Sequence, residues 1–346
     1  MKTLIFVAIV FILAGCAEEE ILEDDSSTTN SAVPEIASEV VYQEDIGDYV
    51  LEPDALTVDE EGNVYLTAPD QYAIMKFDNE GRFIAQAGEH GEGPGEFSYT
   101  PRSIGYSEDL IYVAGTPMQV RQMTIFNSED LNFQKQVNIP EGKGAVQFTL
   151  WNKDLLIPFV KVAMNEDGEG THILHEFNTY DVDTEEATFF AELKLQKETD
   201  QIWKNLGHPR ADDDLIAFTY RARPYVEAFD TSEEEIEHTV IDLPIEEEPE
   251  IGMVGEDDGP GVEAPLTALT GGTGVANDHI FVQGGNVSDS LQKTIFVFDR
   301  TGDLQGEIQL DALGSALHVK ENHVYYVTED AELTKIRYDV DALDDA

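Results

Sequence analysis

Arginine is the residue type whose placement in this sequence most clearly suggests chemistry. Eight arginines occur in a 346-residue chain that carries 71 aspartates and glutamates. A planar guanidinium pairs with carboxylate or phosphate through two parallel hydrogen bonds, so clustered arginines indicate an anion-binding site. We predict such a site, with the tyrosine ring as an apolar face, from Arg102, His208, Arg210, Tyr220, Arg221 and Arg223. In the alternative interpretation, these arginines only balance nearby acids, such as those at 212–214.

No catalytic or metal-binding motif accompanies these residues. The sequence lacks a G-x-S-x-G nucleophile motif, and His175-Glu176 is not followed by the second histidine of H-E-x-x-H. Residues 78–81 and 165–168 resemble fragments of calcium loops, but neither has the full ligand spacing. We therefore interpret both segments as hairpin turns, and we predict neither a cofactor nor a metal site.

An internal repeat predicts the fold that must position the arginines. An aromatic residue followed by Asp or Asn ends a strand-like run six times, at steps of 49, 54, 49, 69 and 40 residues. The six pairs are Phe77-Asp78, Phe126-Asn127, Tyr180-Asp181, Phe229-Asp230, Phe298-Asp299 and Tyr338-Asp339. An Asp or Asn side chain at this place can bond its own backbone and begin a hairpin turn.

Further strand-like segments surround each pair and define the repeating unit. One apolar strand precedes the pair, as at 280–282, and another follows the turn, as at 82–85. The unit is a four-stranded meander of roughly 40–50 residues, which is the period of propeller blades. The last unit lacks its fourth strand, whereas a strand at 39–43 precedes the first unit. We predict an all-β, six-bladed β-propeller closed by that N-terminal strand pairing onto the last blade. Residues 246–265 are expected to form a long loop between blades four and five.

The N-terminus has the pattern of an exported, lipidated protein. Eleven apolar residues at 4–14 are too few to span a bilayer as a helix but are typical of a signal-peptide core. They end in Leu13-Ala14-Gly15-Cys16, which resembles the bacterial lipobox. The resemblance implies cleavage before Cys16 and diacylglycerol on its sulfur, and Ala17 in place of aspartate favours the outer membrane. The alternative is an ordinary signal peptide or an N-terminal anchor helix.

Composition divides the chain and limits its partners. We expect a signal peptide at 1–15, the lipidated cysteine and a disordered acidic tether at 16–36, and the propeller at 37–346. The formal net charge of −51 excludes nucleic acid as a partner, because affinity for nucleic acid comes mainly from cationic contacts to phosphate. We interpret this charge as an adaptation to high salt. The alternative is a specific role in binding a cation or a polycation.

One local motif suggests a family. Residues 88–97, with the sequence GEHGEGPGEF, and the following Pro101 resemble the signature that precedes the inner strand of NHL-type repeats. They also resemble the six-bladed propeller lipoproteins of the Bacteroidetes. We predict a membrane-anchored binding or interaction module of the cell envelope, with an anionic small molecule, glycan or peptide, or an envelope protein, as partner. The alternative is a hydrolase or lyase of the calcium-dependent lactonase type, with its site at the channel mouth.

Overall fold

The computed structural model shows a ring of six antiparallel β-sheets, as the repeat predicts. It describes residues 33–115, 122–139, 144–145, 148–164, 171–194, 207–233, 235–254 and 262–339. Cys16, most of the expected tether and Arg121 lie outside this part of the chain. Within it, no helix is long and apolar enough to cross a membrane.

Each blade is a meander whose first strand is innermost. Blade 1 comprises β2 (Leu56–Val58), β3 (Val64–Ala68), β4 (Ala73–Phe77) and β5 (Phe83–Ala87). Blade 2 comprises β6 (Pro101–Ser107), β7 (Leu110–Gly115), β8 (Gln122–Asn127) and β9 (Phe133–Asn138). Blade 3 comprises β11 (Thr149–Trp151), β12 (Asp154–Met164), β13 (Thr171–Asp181) and β14 (Glu186–Lys194), with β10 (Gly144–Ala145) paired to the far end of β12.

The second half of the ring has the same organisation. Blade 4 comprises β15 (Gly207–Asp212), β16 (Leu215–Tyr220), β17 (Tyr225–Asp230) and β18 (Glu237–Asp242). Blade 5 comprises β21 (Thr270–Ala276), β22 (His279–Gly284), β23 (Thr294–Asp299) and β24 (Leu304–Gln309), with the short helix α1 (Asp289–Gln292) before β23. Blade 6 comprises β25 (Gly314–Lys320), β26 (His323–Thr328) and β27 (Glu332–Tyr338).

The N-terminal strand closes the ring. β1 (Ser38–Asp45) is the outermost strand of blade 6 and runs antiparallel to β27, with Val40 opposite Ile336 and Glu44 opposite Leu333. A register shift after Val40 accommodates one extra residue of β1. The predicted closure is therefore confirmed, and it covers the backbone edge that β27 would otherwise expose.

Six apolar clusters lie between neighbouring blades and hold them together. The strands alternate their side chains between two such clusters: Leu155 and Ile157 pack towards blade 2, whereas Leu156 packs towards blade 4. The cluster between blades 6 and 1 contains Val327 and Leu66, and completes the circle. A sheet with both faces buried needs apolar residues at nearly every position, which explains the continuous apolar runs of the middle strands.

Two kinds of turn connect the strands. The Asp or Asn of the repeat accepts backbone N–H groups two residues ahead, as the sequence predicts. The Oδ1 atom of Asp299 accepts the N–H of Thr301 at 2.9 Å, and Asn127 does the same for Glu129 at 2.8 Å.

The expectation of a long loop at 246–265 is wrong in one respect, because β19 (Ile251–Val254) and β20 (Val262–Pro265) form an antiparallel hairpin there.

The turns after the inner strands determine the register of the central channel. In blades 2 to 6 the first two strands are joined by two residues, so that the last residue of the inner strand pairs directly across the turn, as Asp212 does with Leu215. Both turn residues have positive φ in blade 5, at Asn277 and Asp278, which is the geometry that suits two-residue hairpins. Equivalent positions in blades 2 to 6 can therefore be counted back from each turn.

Candidate functional site

A cavity of about 500 Å³ lies on the axis of the ring. The later residues of all six inner strands and the turns that follow them line it, so the six strands run in the same direction. We call the face where these strands begin the upper face and the face where they end the lower face. The cavity reaches the turns of the lower face, and its volume is typical of small-molecule sites.

Two layers of side chains form the wall of this cavity. The deep ring consists of the residue two positions before the end of each inner strand: Leu56, Gly105, Thr149, Arg210, Gly274 and His318. The mouth ring consists of the last residue of each strand: Val58, Ser107, Trp151, Asp212, Ala276 and Lys320. Positions two apart on a strand share one side. All twelve residues line the cavity, and Leu56 and Val58 also belong to the apolar cluster between blades 6 and 1.

Arg210 is the cationic residue of the deep ring. Its one described hydrogen bond runs from Nη1 to the carbonyl oxygen of Pro209, at 2.8 Å. Among the described residues no carboxylate lies within ion-pair distance of its guanidinium, although the chain is strongly acidic. Burial lowers the pKa of Arg210 to about 10, and no neighbouring anion opposes this shift. The side chain therefore stays charged at neutral pH, and no carboxylate of the described residues serves as its counter-ion.

Two histidines lie near this guanidinium. His208 precedes Arg210 by two residues on β15, and His318 occupies the deep-ring position of blade 6. Burial lowers the pKa of each histidine to about 3, and the Arg210 charge contributes in the same direction. Gly274 of blade 5 lies between Arg210 and His318 in the ring and carries no side chain to separate them.

Glycine at position 274 is required by packing. A Cβ atom there would lie 2.4 Å from Cγ2 of Val319, so any larger residue would push blade 6 away. The same argument applies to Gly105, whose Cβ would lie 2.9 Å from Cδ1 of Leu150. Close blade packing thus leaves two of the six deep-ring positions without side chains.

The mouth of the cavity is acidic on the side of blades 4 and 6. Lys320 is paired with Glu60 at 3.1 Å, and Lys153 is paired with Glu108, so these four charges balance. Asp212, Asp213 and Glu321 also line the cavity, and none of them forms an ion pair within the described residues. Burial and the neighbouring Asp213 raise the pKa of Asp212, while the backbone N–H of Asn277 donates to its carboxylate.

The structure divides the six residues predicted from the sequence. Arg210 lines the cavity, and His208 lies near the upper start of the same strand, β15. The other four residues also lie towards the upper face. Arg102, at the start of β6, pairs with Asp54 at 2.8 Å. Arg221 is exposed in the β16–β17 turn, and its charge also acts on His208. These residues therefore do not surround a single mouth.

Tyr220 and Arg223 have structural surroundings. The Tyr220 side chain is fully buried at the end of β16, so its ring cannot offer an apolar face to a ligand, contrary to our expectation. The guanidinium of Arg223 lies 5.4 Å from the centre of that ring and bonds the hydroxyl of Tyr225. Tyr220 differs from our expectation because it packs into the apolar cluster between blades 3 and 4.

Sequence reasoning missed His318. It is an isolated histidine in blade 6, far from the arginines in the chain, and so no local cluster marked it. A signal was nonetheless present, because counting back two positions from the two-residue turn places His318 in register with Arg210. Among the described residues no group of three or more His, Cys, Asp or Glu is arranged to hold a metal ion.

Comparison with known proteins supports the fold alone. No known protein family and no curated protein sequence matches the chain. Its fold resembles 833 solved chains. One is BamB from Moraxella catarrhalis, with 9% identity and a TM-score of 0.48 over 87% of this chain and 100% of that one. Another is a streptogramin B lyase, with 14% identity and a TM-score of 0.51 over 88% of this chain and 98% of that one. Propellers serve many functions, so function must be argued from the site.

Proposed function

We propose that this protein is a membrane-anchored binding module of the cell envelope that holds an anionic group against Arg210 in its central cavity. The observation that carries the proposal is the buried charge of Arg210, which no carboxylate of the described residues pairs. Burying a charged group without a partner is costly, and proteins normally pair or neutralise it. Four other described arginines contact carboxylates, namely Arg82, Arg102, Arg300 and Arg337. A ligand that brings its own anion would supply the missing partner.

The surroundings of Arg210 favour binding over a structural role. The guanidinium lies in a cavity of about 500 Å³ that reaches the lower face, so a small molecule has both space and access. His318, which also lines the cavity, is neutral at physiological pH, and its N–H group is a hydrogen-bond donor for the same anion. His208, also neutral, precedes Arg210 by two residues on β15. Arg210 and His318 thus place two hydrogen-bond donors on the wall of the cavity.

Binding can be tested with small anions of known charge. Hexanoate and inorganic phosphate would be titrated into the full-length chain in detergent, with calorimetric detection. We expect Arg210→Gln to weaken binding of the preferred anion about 100-fold, because two charge-assisted hydrogen bonds are lost. Arg82→Gln is the matched control, since it removes one positive charge from an exposed turn of blade 1.

The outcome of this titration is decisive in both directions. Equal affinities in Arg210→Gln and Arg82→Gln would mean that the cavity floor does not hold the anion. Absence of any binding by the wild-type chain would also refute the proposal. Binding that depends on Arg102 or Arg221 instead would move the site to the upper face.

The membrane anchor rests on Cys16 and the lipobox-like residues before it, and Ala17 supports an outer-membrane location. We expect Cys16→Ser to prevent incorporation of labelled palmitate and to release the protein from the membrane fraction or leave its leader uncleaved. Ser26→Ala, ten residues further on, is the control and should keep both label and membrane association. Labelling of the Cys16→Ser variant would refute the anchor.

A further inference from the structure

The charges that line the cavity change sign along the channel. Arg210 is the charged residue of the deep ring, whereas Asp212, Asp213 and Glu321 lie nearer the lower face. The lysines of the mouth are paired with Glu60 and Glu108, and Lys320 offsets the negative charge around Asp212 only in part, since the pKa of Asp212 stays raised. A ligand entering from the lower face meets negative charge first and positive charge last.

This order of charges is unfavourable for a simple anion. A carboxylate or phosphate must pass the acidic mouth, and like charges in a poorly hydrated cleft repel one another more strongly than in water. A ligand that also carries a cation would instead gain an attraction at the mouth. The arrangement therefore favours an anion that also carries a cationic group over an anion that does not.

The spacing of the two charges is short. Arg210 and Asp212 lie on the same side of β15, two residues apart, and side chains at such positions are separated by about 7 Å. Glu321 extends the acidic side of the mouth from the turn after β25. A compact molecule with an acid at one end and an amine at the other can reach both groups at once.

We infer that the ligand of this cavity is a small zwitterion, which binds with its anionic group at Arg210 and its ammonium group at Asp212 and Glu321. The inference rests on the proposed function, because it assumes that Arg210 holds the anionic end. The surroundings of Asp212 support it. Its carboxylate keeps one backbone N–H donor from Asn277 and is partly desolvated, so an ammonium group would relieve an existing electrostatic cost.

Three matched probes test the inference in the full-length chain at low ionic strength. They are 6-aminohexanoate, which has both groups, hexanoate, which has the acid alone, and hexylamine, which has the amine alone. We expect 6-aminohexanoate to bind at least tenfold more tightly than hexanoate, with hexylamine weakest. Glycine, whose two charges are too close together to span the site, should bind less tightly than 6-aminohexanoate.

Variants of the mouth separate this inference from the proposed function. The double variant Asp212→Asn, Glu321→Gln keeps the side-chain shapes but should abolish the preference for 6-aminohexanoate and leave hexanoate binding equal or tighter. The matched control, Glu186→Gln with Glu237→Gln, removes two exposed carboxylates from outer strands and should keep the preference. Arg210→Gln should weaken both acids.

Each result has a defined meaning. If hexanoate binds in an Arg210-dependent way but the amino group adds nothing, the zwitterion inference is wrong and the proposed function stands. If no probe depends on Arg210, both are wrong. If the outer-strand control loses the preference as fully as the mouth variant does, the selectivity comes from the global charge and the inference is likewise refuted.

Discussion

The blade junctions and the central cavity use positive charge in opposite ways. At the junctions, a basic side chain of one blade contacts acceptors of the next. Lys76 of blade 1 donates to the carbonyl oxygens of Ser128 and Glu129 in blade 2, at 2.8 and 3.0 Å. Arg300 of blade 5 contacts Asp214 and Asp230 of blade 4, among other acids. In the cavity, Arg210 faces open space.

This difference separates structural cations from a functional one. The chain has only 20 lysines and arginines, and the junctions use several of them to connect strands distant in sequence. A cation placed in a cavity without a carboxylate connects no distant strands, and its burial costs desolvation free energy. Residues retained at such a cost are typical of functional sites. Four measurements test whether the cations of the blade junctions and Arg210 differ in this way.

Salt should have the largest effect. With a net charge of −51, repulsion between acids outweighs the ion pairs at the junctions when screening is weak. We expect the melting temperature to rise by about 10 °C or more between low and molar KCl, equivalent to several kcal/mol for a chain of this size. Thermal unfolding followed by circular dichroism measures this. A fall in stability with added salt would mean that the ion pairs dominate.

Removing Arg300 from a blade junction should lower the stability of the protein, whereas removing Arg210 from the cavity should not. We expect Arg300→Gln to lower the free energy of unfolding by about 1–3 kcal/mol, because it leaves partly buried carboxylates without their cation. Arg210→Gln should leave stability unchanged or raise it slightly. Urea denaturation of both variants provides the comparison. If Arg210→Gln destabilises the protein as much as Arg300→Gln does, then Arg210 is structural.

Acidification should destabilise the unliganded cavity. His208 and His318 have folded-state pKa values of about 3, below the 6.5 of an unperturbed histidine. Between these values the unfolded chain binds more protons, so their contribution to stability falls as the pH drops below about 6.5 and continues to fall towards 3. A bound anion favours the protonated histidines, so the affinity should rise severalfold from pH 7.5 to 5.5.

A sulfonate probe suits this measurement, since it remains ionised throughout that range. Calorimetric titration of hexanesulfonate at several pH values should show the increase in wild-type protein and a flatter profile in His318→Asn. His279→Asn, which alters a histidine that does not line the cavity, serves as control. An affinity independent of pH would show that neither histidine contacts the anion.

The pair Lys320–Glu60 should have the smallest effect. Its N–O distance is 3.1 Å and it joins blade 6 to blade 1, but the Glu60 side chain is 75% exposed. Solvent screening limits exposed pairs to about 0.2–1 kcal/mol. A double-mutant cycle with Lys320→Gln and Glu60→Gln measures the coupling. A value well above this range would mean that the mouth is more enclosed than its exposure indicates.

Much of the fold was predictable because its signals are local. The turn after Phe298-Asp299 is specified by an aspartate that bonds the next backbone groups, and the same device recurs at Asn127. The missing fourth strand of blade 6 and the spare strand before blade 1 together indicated closure. The hairpin within 246–265 was not foreseen, because its strands are short and the segment is rich in acidic residues.

The site was only partly predictable. Arg210 and His208 are close in the sequence, and the structure places both on the inner strand β15, where residues two apart share one side. The grouping of Arg102, Tyr220 and Arg223 with them treated all residues near the upper face as one mouth. In the structure Arg102 is paired with Asp54, and Tyr220 is buried in the packing between blades.

The sequence by itself determined the number of blades, the turn chemistry and the closing strand, because each depends on residues adjacent in the chain or on a simple period. Only the tertiary structure decided that Arg210 has no carboxylate partner in the part of the chain that the structure describes, that His318 lines the cavity with it, and that the acids at 212, 213 and 321 line the mouth of the same cavity. Those facts depend on how six blades pack around an axis. Burial and electrostatic pairing are set by distances between residues far apart in sequence, which no local pattern encodes.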